Sequence, residues 1–336
     1  MAVLSLPGFT TLKTIIEWCV SQCTWRNAVF IYVLFNLKSA PFSWHVRLFF
    51  HLFRRIRWQP HVYPDPKLRS DSKTCLEPHL HPIFMPAGLT SRAPLWETDY
   101  NCHKSNSTYF SDLDIARTVL VTNLYTPGFG ILRKEMDTEV DEDGKPKYPR
   151  GRLAVMLGSV HCTFKKEIKP YERYEMQSKV AGWDEKWMYV LTFFLRPEKR
   201  KGEGKTLLAV GVSKYVTKKG RLTIRPEKVL RASGLLPPRP DGEVSATVSL
   251  ETPASGEAVN VEDGLEESAL REVLTLGEST NLDLAVLEND KKARSSWDGS
   301  MWTWEKIEQE RLRGLEIVQG FINMDAKLYE EAASVL

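Results

Sequence analysis

The sequence predicts an α+β domain in which one strand and a long amphipathic helix precede four strands of antiparallel sheet. Three observations carry that expectation. Residues 152–166 (RLAVMLGSVHCTFKK), 171–183 (YERYEMQSKVAGW), 187–196 (WMYVLTFFLR) and 206–217 (TLLAVGVSKYVT) are rich in Val, Tyr, Phe and Thr and bounded by turn formers, the composition of half-buried strands. Their joins, Lys169-Pro170, Asp184-Glu185 and KRKGEG, are short enough for antiparallel hairpins. Ahead of them, residues 109–125 (YFSDLDIARTVLVTNLY) place Phe110, Leu113, Ala116, Leu120 and Leu124 at steps of three and four, one face of a helix that Pro127-Gly128 ends.

The flanks differ from this block. Up to residue 60 there are seven basic residues and one acid, Glu17, a net +6, whereas residues 241–290 hold thirteen acids against Arg271, a net −12. Ala28 to Leu37 (AVFIYVLFNL) and FSWHVRLFFHLF after Pro41 are dense apolar runs. Each falls short of the roughly 20 residues of a spanning helix, and Pro41 prevents their fusion. Trp18, Trp25, Trp44 and Trp58 beside basic residues suit peripheral or in-plane contact with an anionic internal membrane, such as the endoplasmic reticulum. A helical hairpin packed on the globular domain is the other reading of the same pattern. Lys13 and Glu17 interrupt the apolar residues, so a secretory signal is not expected. The expected organisation is a helical segment over 1–60, a proline-rich connector over 61–87 and a folded domain over 88–235. An acidic, largely disordered insert over 236–298 follows, then a helix over 299–336 with Trp304, Ile307, Leu312, Leu315, Val318 and Ile322 as its apolar stripe.

Composition narrows the function. Of 336 residues 42% are hydrophobic and 26% charged, which excludes collagen-like, wholly disordered and disulfide-scaffold classes. A net charge of +3 demands no nucleic-acid partner, and none is expected. The five cysteines are odd in number and form no CxxC pair, the usage of a reducing, intracellular compartment. His79 and His81 alternate in a proline-flanked loop without a third ligand, so no metal and no cofactor is expected. Gly204-Lys205-Thr206 mimics a phosphate loop, but residue 199 is Lys and the segment joins two strands. No GxSxG elbow occurs, and His161 and Cys162 point to opposite faces of one strand. Trp183, Trp187, Tyr189, Phe193 and Phe194 suit sheet packing better than a base-stacking platform.

The chemistry concentrates in Trp96 to Arg117, WETDYNCHKSNSTYFSDLDIAR. Glu97, Asp99, Asn101, His103 and Asn106 lie in a loop that runs into a helix N-terminus, where unpaired backbone N–H groups favour developing negative charge. Asn106, Ser107 or Thr108 can cap the first turn, with Asp112 and Asp114 in its positive end. Glu97 reads as a structural or solvated strand-end acid and His103 as a donor that orders the loop.

The string Asp99 to Tyr109, DYNCHKSNSTY, resembles the hot-dog-fold acyl-thioester hydrolases, in particular the 4-hydroxybenzoyl-CoA thioesterase-like branch, whose loop reads roughly D-x-D-x-N-G-H-x-N-N-x-x-Y. Asp99 matches the second, catalytic aspartate, and Asn101, His103, Asn106 and Tyr109 match the rest. Glu97 replaces the first aspartate, Cys102 the glycine, Lys104 a hydrophobic residue and Ser105 the first asparagine. Within the family the chain is most similar to the thioesterase superfamily member 6-like group of eukaryotes, including fungal members, whose C-terminal helix carries W-x-x-I-E-x-x-R-x-x-G-L; Trp304 to Leu315 reads WEKIEQERLRGL. The resemblance implies a sheet wrapped around the helix, a homodimer with the site between two units, and an acyl-CoA or acyl-carrier-protein substrate. It also implies Asp99 as base or nucleophile, assisted by His103 and Asn106, with Asn101 and the backbone of Thr108 and Tyr109 holding substrate and oxyanion. A catalytically silent hot-dog protein that binds an acyl chain or a partner at a membrane is the alternative, and a dehydratase on the same fold ranks last.

Overall fold

The computed structural model describes residues 24–54, 80–237 and 302–333, less positions 127, 142, 149–151, 199, 201 and 203, and with Thr14 and Ser21 besides. All of the acidic insert but Leu236 and Pro237, and most of the 61–87 connector, lie outside the described residues, as do Trp18, Trp58 and His79; Leu236 is a buried core residue.

Two helices, α1 (Trp25–Phe35) and α2 (Ser43–Phe53), precede strand β1 (Ala87–Arg92) and the long helix α3 (Asn106–Tyr125). A shorter helix α4 (Gly128–Thr138) leads to β2 (Leu153–Phe164), β3 (Arg173–Trp183), β4 (Trp187–Arg196), β5 (Thr206–Lys219) and β6 (Leu222–Ile224). Helices α5 (Pro226–Ala232) and α6 (Trp304–Ala333) close the described chain. The sheet is antiparallel in the order β1-β3-β4-β5-β2, with β6 beside the end of β5.

That order corrects one expectation. β3–β4 and β4–β5 are neighbours, but β2 pairs with β5 and β1 takes the place beside β3, so residues 165–172 are a crossover and not a hairpin. The crossover is held by burial. Ile168 is fully buried against Tyr109 and Tyr174, its carbonyl accepts from the Lys104 amide at 2.8 Å, and the Tyr171 amide donates to Ala93 at 2.6 Å. The chain thereby passes the N-terminal end of α3 and curls the sheet around the helix, giving the hot-dog fold.

Strand alternation sorts the aromatic residues into two layers. On β4, Met188, Val190 and Phe194 face α3, while Tyr189, Leu191 and Phe193 face α6. α6 approaches so closely that a Cβ on Gly314 would lie 1.6 Å from the Ala181 carbonyl, which makes glycine a packing requirement there. α4 and α5 were not foreseen. Gly128 opens α4 instead of ending the chain's helical run, because it lets α4 meet α5: a Cβ there would lie 2.7 Å from the Ser233 amide nitrogen. Pro226 at the first position of α5 is the signal that could have found that helix.

The N-terminal helices behave differently from each other. α2 packs on α3 and buries Leu48 and Leu52, whereas α1 buries no residue and leaves Trp25 74% and Phe30 67% exposed. No described helix is long and apolar enough to cross a membrane.

His81 is fully buried against Trp302 (ring centroids 5.2 Å) and Phe84, with its Nδ1 accepting from the Ile83 amide at 3.3 Å. Burial pushes its pKa from 6.5 down to about 3. The unfolded chain therefore binds this proton first, so stability should fall as pH drops from 6.5 towards 3, by up to about 1.4 kcal/mol per unit. Urea denaturation of the protein and of His81→Phe across that window checks it; equal slopes would remove the assignment.

Candidate active site

Asp99 occupies a narrow loop whose two ends are tied together. Thr98 and Lys104 form an antiparallel bridge, the Asp99 amide donates to His103 at 3.0 Å, and the Ser105 amide donates to Glu97 at 2.7 Å. At the tip Cys102 has φ +60°, the left-handed conformation for which the family's pattern has glycine. Cysteine keeps the turn at a cost on the order of 1 kcal/mol, so this departure alters the side chain and not the path of the loop.

Asp99 Oδ1 accepts from the Asn101 amide at 2.9 Å and lies 3.6 Å from His103 Nδ1. His103 Nδ1 is also 3.3 Å from the Lys104 carbonyl. Both neighbours are acceptors, which favours the tautomer with its proton on Nδ1. Among the described residues Asp99 Oδ2 has no partner. Asp99 and His103 are 21% and 27% exposed, open enough to meet a substrate.

The structure thus brings Asp99, Asn101 and His103 together. Asn106 stands exposed at the first position of α3, without a bond to Asp99 or His103 among the described contacts. Ser105 is the cap residue, and its side chain makes no capping bond; Thr108 donates its hydroxyl (2.7 Å) and its amide (3.0 Å) to the Ser105 carbonyl. That corrects the expectation that Asn106, Ser107 or Thr108 would cap. Tyr109 is a core residue, its ring 5.0 Å from both Phe164 and Phe194.

Beneath the loop lies a buried charge cluster that sequence reading missed. Lys104, with no exposed side-chain surface, reaches Glu97 at 2.5 Å and Asp112 at 2.9 Å. Lys38, between α1 and α2, reaches Glu97 at 2.9 Å, Asp112 at 3.0 Å and the Tyr174 hydroxyl at 2.9 Å. Arg47 on α2 meets Asp112 at 3.1 Å, and the Tyr174 hydroxyl donates to Asp112. Three cations therefore face two carboxylates. Burial alone would raise the Asp112 pKa, but Lys38, Lys104 and Arg47, with the Tyr174 hydroxyl, outweigh it and hold the carboxyl below its usual range. For Lys38 burial wins over both carboxylates and lowers its pKa.

Two of the sequence's departures from the family pattern are therefore one feature, since Glu97 and Lys104 pair with each other. Glu97 is buried and structural, not solvated, and Asp112 lies inside the domain, away from the helix's positive end. Asp114 pairs with Arg117. The signal that could have found the cluster is a lysine at a position where the pattern wants an apolar side chain.

Among the described residues no cluster of His, Cys, Asp or Glu is arranged to hold a metal. A separate cleft between α6 and the outer face of the sheet, lined by Val180, Leu191, Phe193 and Ile317 among others, shares no residue with the Asp99 loop.

Comparison with known proteins places this geometry. The model of the thioesterase-like superfamily matches residues 93–232, which begin just after β1 and span the Asp99 loop, α3, α4, strands β2 to β6 and α5. Thioesterase lcsJ of Purpureocillium lilacinum is 32% identical over 93% of this chain and 94% of its own length. Probable thioesterase atnL of Emericella nidulans is 35% identical over 70% and 80% of the two chains, and thioesterase poxG of Penicillium oxalicum 30% over 90% and 84%. Among solved structures, 4-hydroxybenzoyl CoA thioesterase aligns with 44% of this chain and 98% of its own at 12% identity and a TM-score of 0.34. Extended relatedness over nearly the full length, together with the matched domain, shows that the chain belongs to the thioesterase-like superfamily and that its chemistry is the hydrolysis of acyl thioesters.

Proposed function

We propose that Asp99 is the catalytic carboxylate, acting on an acyl-CoA or on an acyl group carried by a carrier protein. The observation that carries this reading is the state of Asp99 before α3: Oδ1 is held by the Asn101 amide and near His103, and Oδ2 has no partner among the described residues. Oδ2 either attacks the thioester carbonyl or takes a proton from the water that does. The carbonyl oxygen becomes negative and is met by first-turn amides of α3, which lack intrahelical partners in any helix. Of the expected oxyanion donors Thr108 and Tyr109, Thr108 already serves the Ser105 carbonyl, which shifts the role towards its neighbours in that turn. Collapse expels the thiolate, a leaving group of low pKa; where water attacked, the free acid is the other product, and where Asp99 attacked, water then hydrolyses the acyl–Asp99 anhydride and restores the carboxylate. Asn101 and Asn106, both exposed beside the loop, are positioned for substrate contact. The test is thiol release from a panel of acyl-CoA and carrier-linked thioesters by the intact protein and by Asp99→Asn. Release by neither protein would favour a silent acyl-binding protein.

The working unit in this reading is a homodimer with the Asp99 loop near the subunit boundary. β2 supports it: it ends the sheet and has one neighbouring strand among those described, leaving a twelve-residue edge to pair with another copy. Light scattering at micromolar concentration should return twice the chain mass; a monomer with full activity would refute this.

Peripheral contact with an internal membrane, the endoplasmic reticulum among them, completes the reading. Its support is the exposed apolar surface of α1 and of Phe42, 76% exposed, in a stretch from 24 to 54 that contains no acidic residue. Replacing Trp25, Phe30 and Phe42 with Ser should release the protein from vesicles containing anionic lipid. Undiminished flotation of that variant would assign the surface to something other than lipid.

A further inference from the structure

The segment before residue 60 reads, by composition, as an attachment device. Its contacts give it a second role. Lys38 sits 2.9 Å from Glu97 and 3.0 Å from Asp112. Glu97 lies two residues before Asp99, at the end of the short 3-10 turn Leu95–Glu97 that leads into the loop. Asp112 lies on α3, whose first turn faces that loop through the Ser105–Glu97 bond of 2.7 Å. The Lys38 ammonium, beside that of Lys104, therefore ties the element that carries the carboxylate to the element that carries the oxyanion donors, and it does so from the N-terminal segment. It also donates to the Arg92 carbonyl at 3.0 Å, at the end of β1 from which the loop departs.

Neighbouring contacts make the joint stiff. Asn36 Oδ1 accepts from the Trp96 amide at 2.9 Å, the Tyr32 hydroxyl accepts from the Trp96 indole at 3.0 Å, and Ser39 donates to Glu97 at 3.3 Å. All of these come from the N-terminal segment, and all land on the three residues before Asp99 or on the cluster under it.

We propose that Lys38 is a positioning residue for thioester hydrolysis, so that the N-terminal segment forms part of the catalytic unit. This inference rests on the assignment of Asp99 made above. A displacement of about 1 Å between a catalytic group and its partners costs on the order of a hundredfold in rate. Loss of the ammonium removes the tie that the N-terminal segment supplies and leaves Lys104 as the one described ammonium between Glu97 and Asp112, which loosens the loop against α3, while Arg47 and Lys104 still neutralise Asp112 and keep the core closed.

The experiment uses the full chain and a short, water-soluble acyl-CoA, so that membrane binding has no part in the readout. Lys38→Met should lower kcat about tenfold to a hundredfold and leave KM within about twofold. The double variant Lys38→Met/Glu97→Gln removes the carboxylate that the ammonium neutralised, so it should recover thermal stability and still have low kcat. Recovery of kcat in the double variant would show that charge compensation alone matters and would overturn the proposal. So would wild-type kcat in Lys38→Met. If Lys38→Met does not fold, the double variant carries the decision in the same way. Asp99→Asn is measured beside them: a dead Asp99→Asn with an unaffected Lys38→Met sinks this inference alone, and a fully active Asp99→Asn sinks the site assignment with it.

Discussion

Asp99→Asn should lower thiol release by about two orders of magnitude or more while the protein stays folded. The carboxamide keeps the shape of the side chain, and its oxygen can still accept from the Asn101 amide as Oδ1 does at 2.9 Å. What it loses is the second oxygen, the one without a described partner, as a base and as a nucleophile. The loop should be insensitive to the change, because its closure runs through backbone bonds at Asp99, His103, Ser105 and Glu97. Thermal melting within a few degrees of the wild type, together with collapsed turnover at saturating thioester, is the expected pair of results. Turnover that survives with a raised KM would instead make Asp99 a binding residue and move the chemistry to another group. His103→Ala should be milder, since its ring lies 3.6 Å from Asp99 and is held by a carbonyl rather than by a second carboxylate.

The strands and the central helix were legible because each is written in local terms. Residues 187–196 alternate between two packed faces, and the period of 109–125 matches a helix that the structure extends to Asn106. Strand order is not local. The eight residues between β2 and β3 have hairpin length, and it is the burial of Ile168 beneath the start of α3, with the backbone bonds to Lys104 and Ala93, that holds them as a crossover. The site divides the same way. Asp99, Asn101 and His103 are close in sequence and their string could be matched as a unit. Lys38, Arg47, Asp112 and Tyr174 converge from four separate elements, and no spacing connects them. Read as isolated departures, Glu97 and Lys104 look like damage to the family's pattern; as a buried pair at 2.5 Å they offset each other.

The cluster's central member is Asp112, and its removal should have the largest effect on stability. Asp112→Asn keeps the volume and some hydrogen bonds but deletes the charge that Lys38, Lys104 and Arg47 share. Lys38 and Lys104 would then share Glu97 alone, with Lys104 fully buried, and Arg47 would lose the one carboxylate it meets among the described residues. Breaking a buried ion pair by removing one partner costs roughly 3–5 kcal/mol, far more than an exposed pair contributes, because the remaining charges keep their desolvation penalty. A loss of that size is a large share of the roughly 5–15 kcal/mol that holds an ordinary domain together. The effect also has a pH signature. The folded carboxyl titrates below its usual range, so its contribution is complete above about pH 4 and disappears as the pH falls towards the folded value. The gap between wild type and Asp112→Asn in urea denaturation should therefore be wide at pH 7 and narrow below pH 4. A gap under about 1 kcal/mol at pH 7 would mean that the three cations are neutralised by water or by one another's displacement, and that Asp112 does not organise the ground beneath the Asp99 loop.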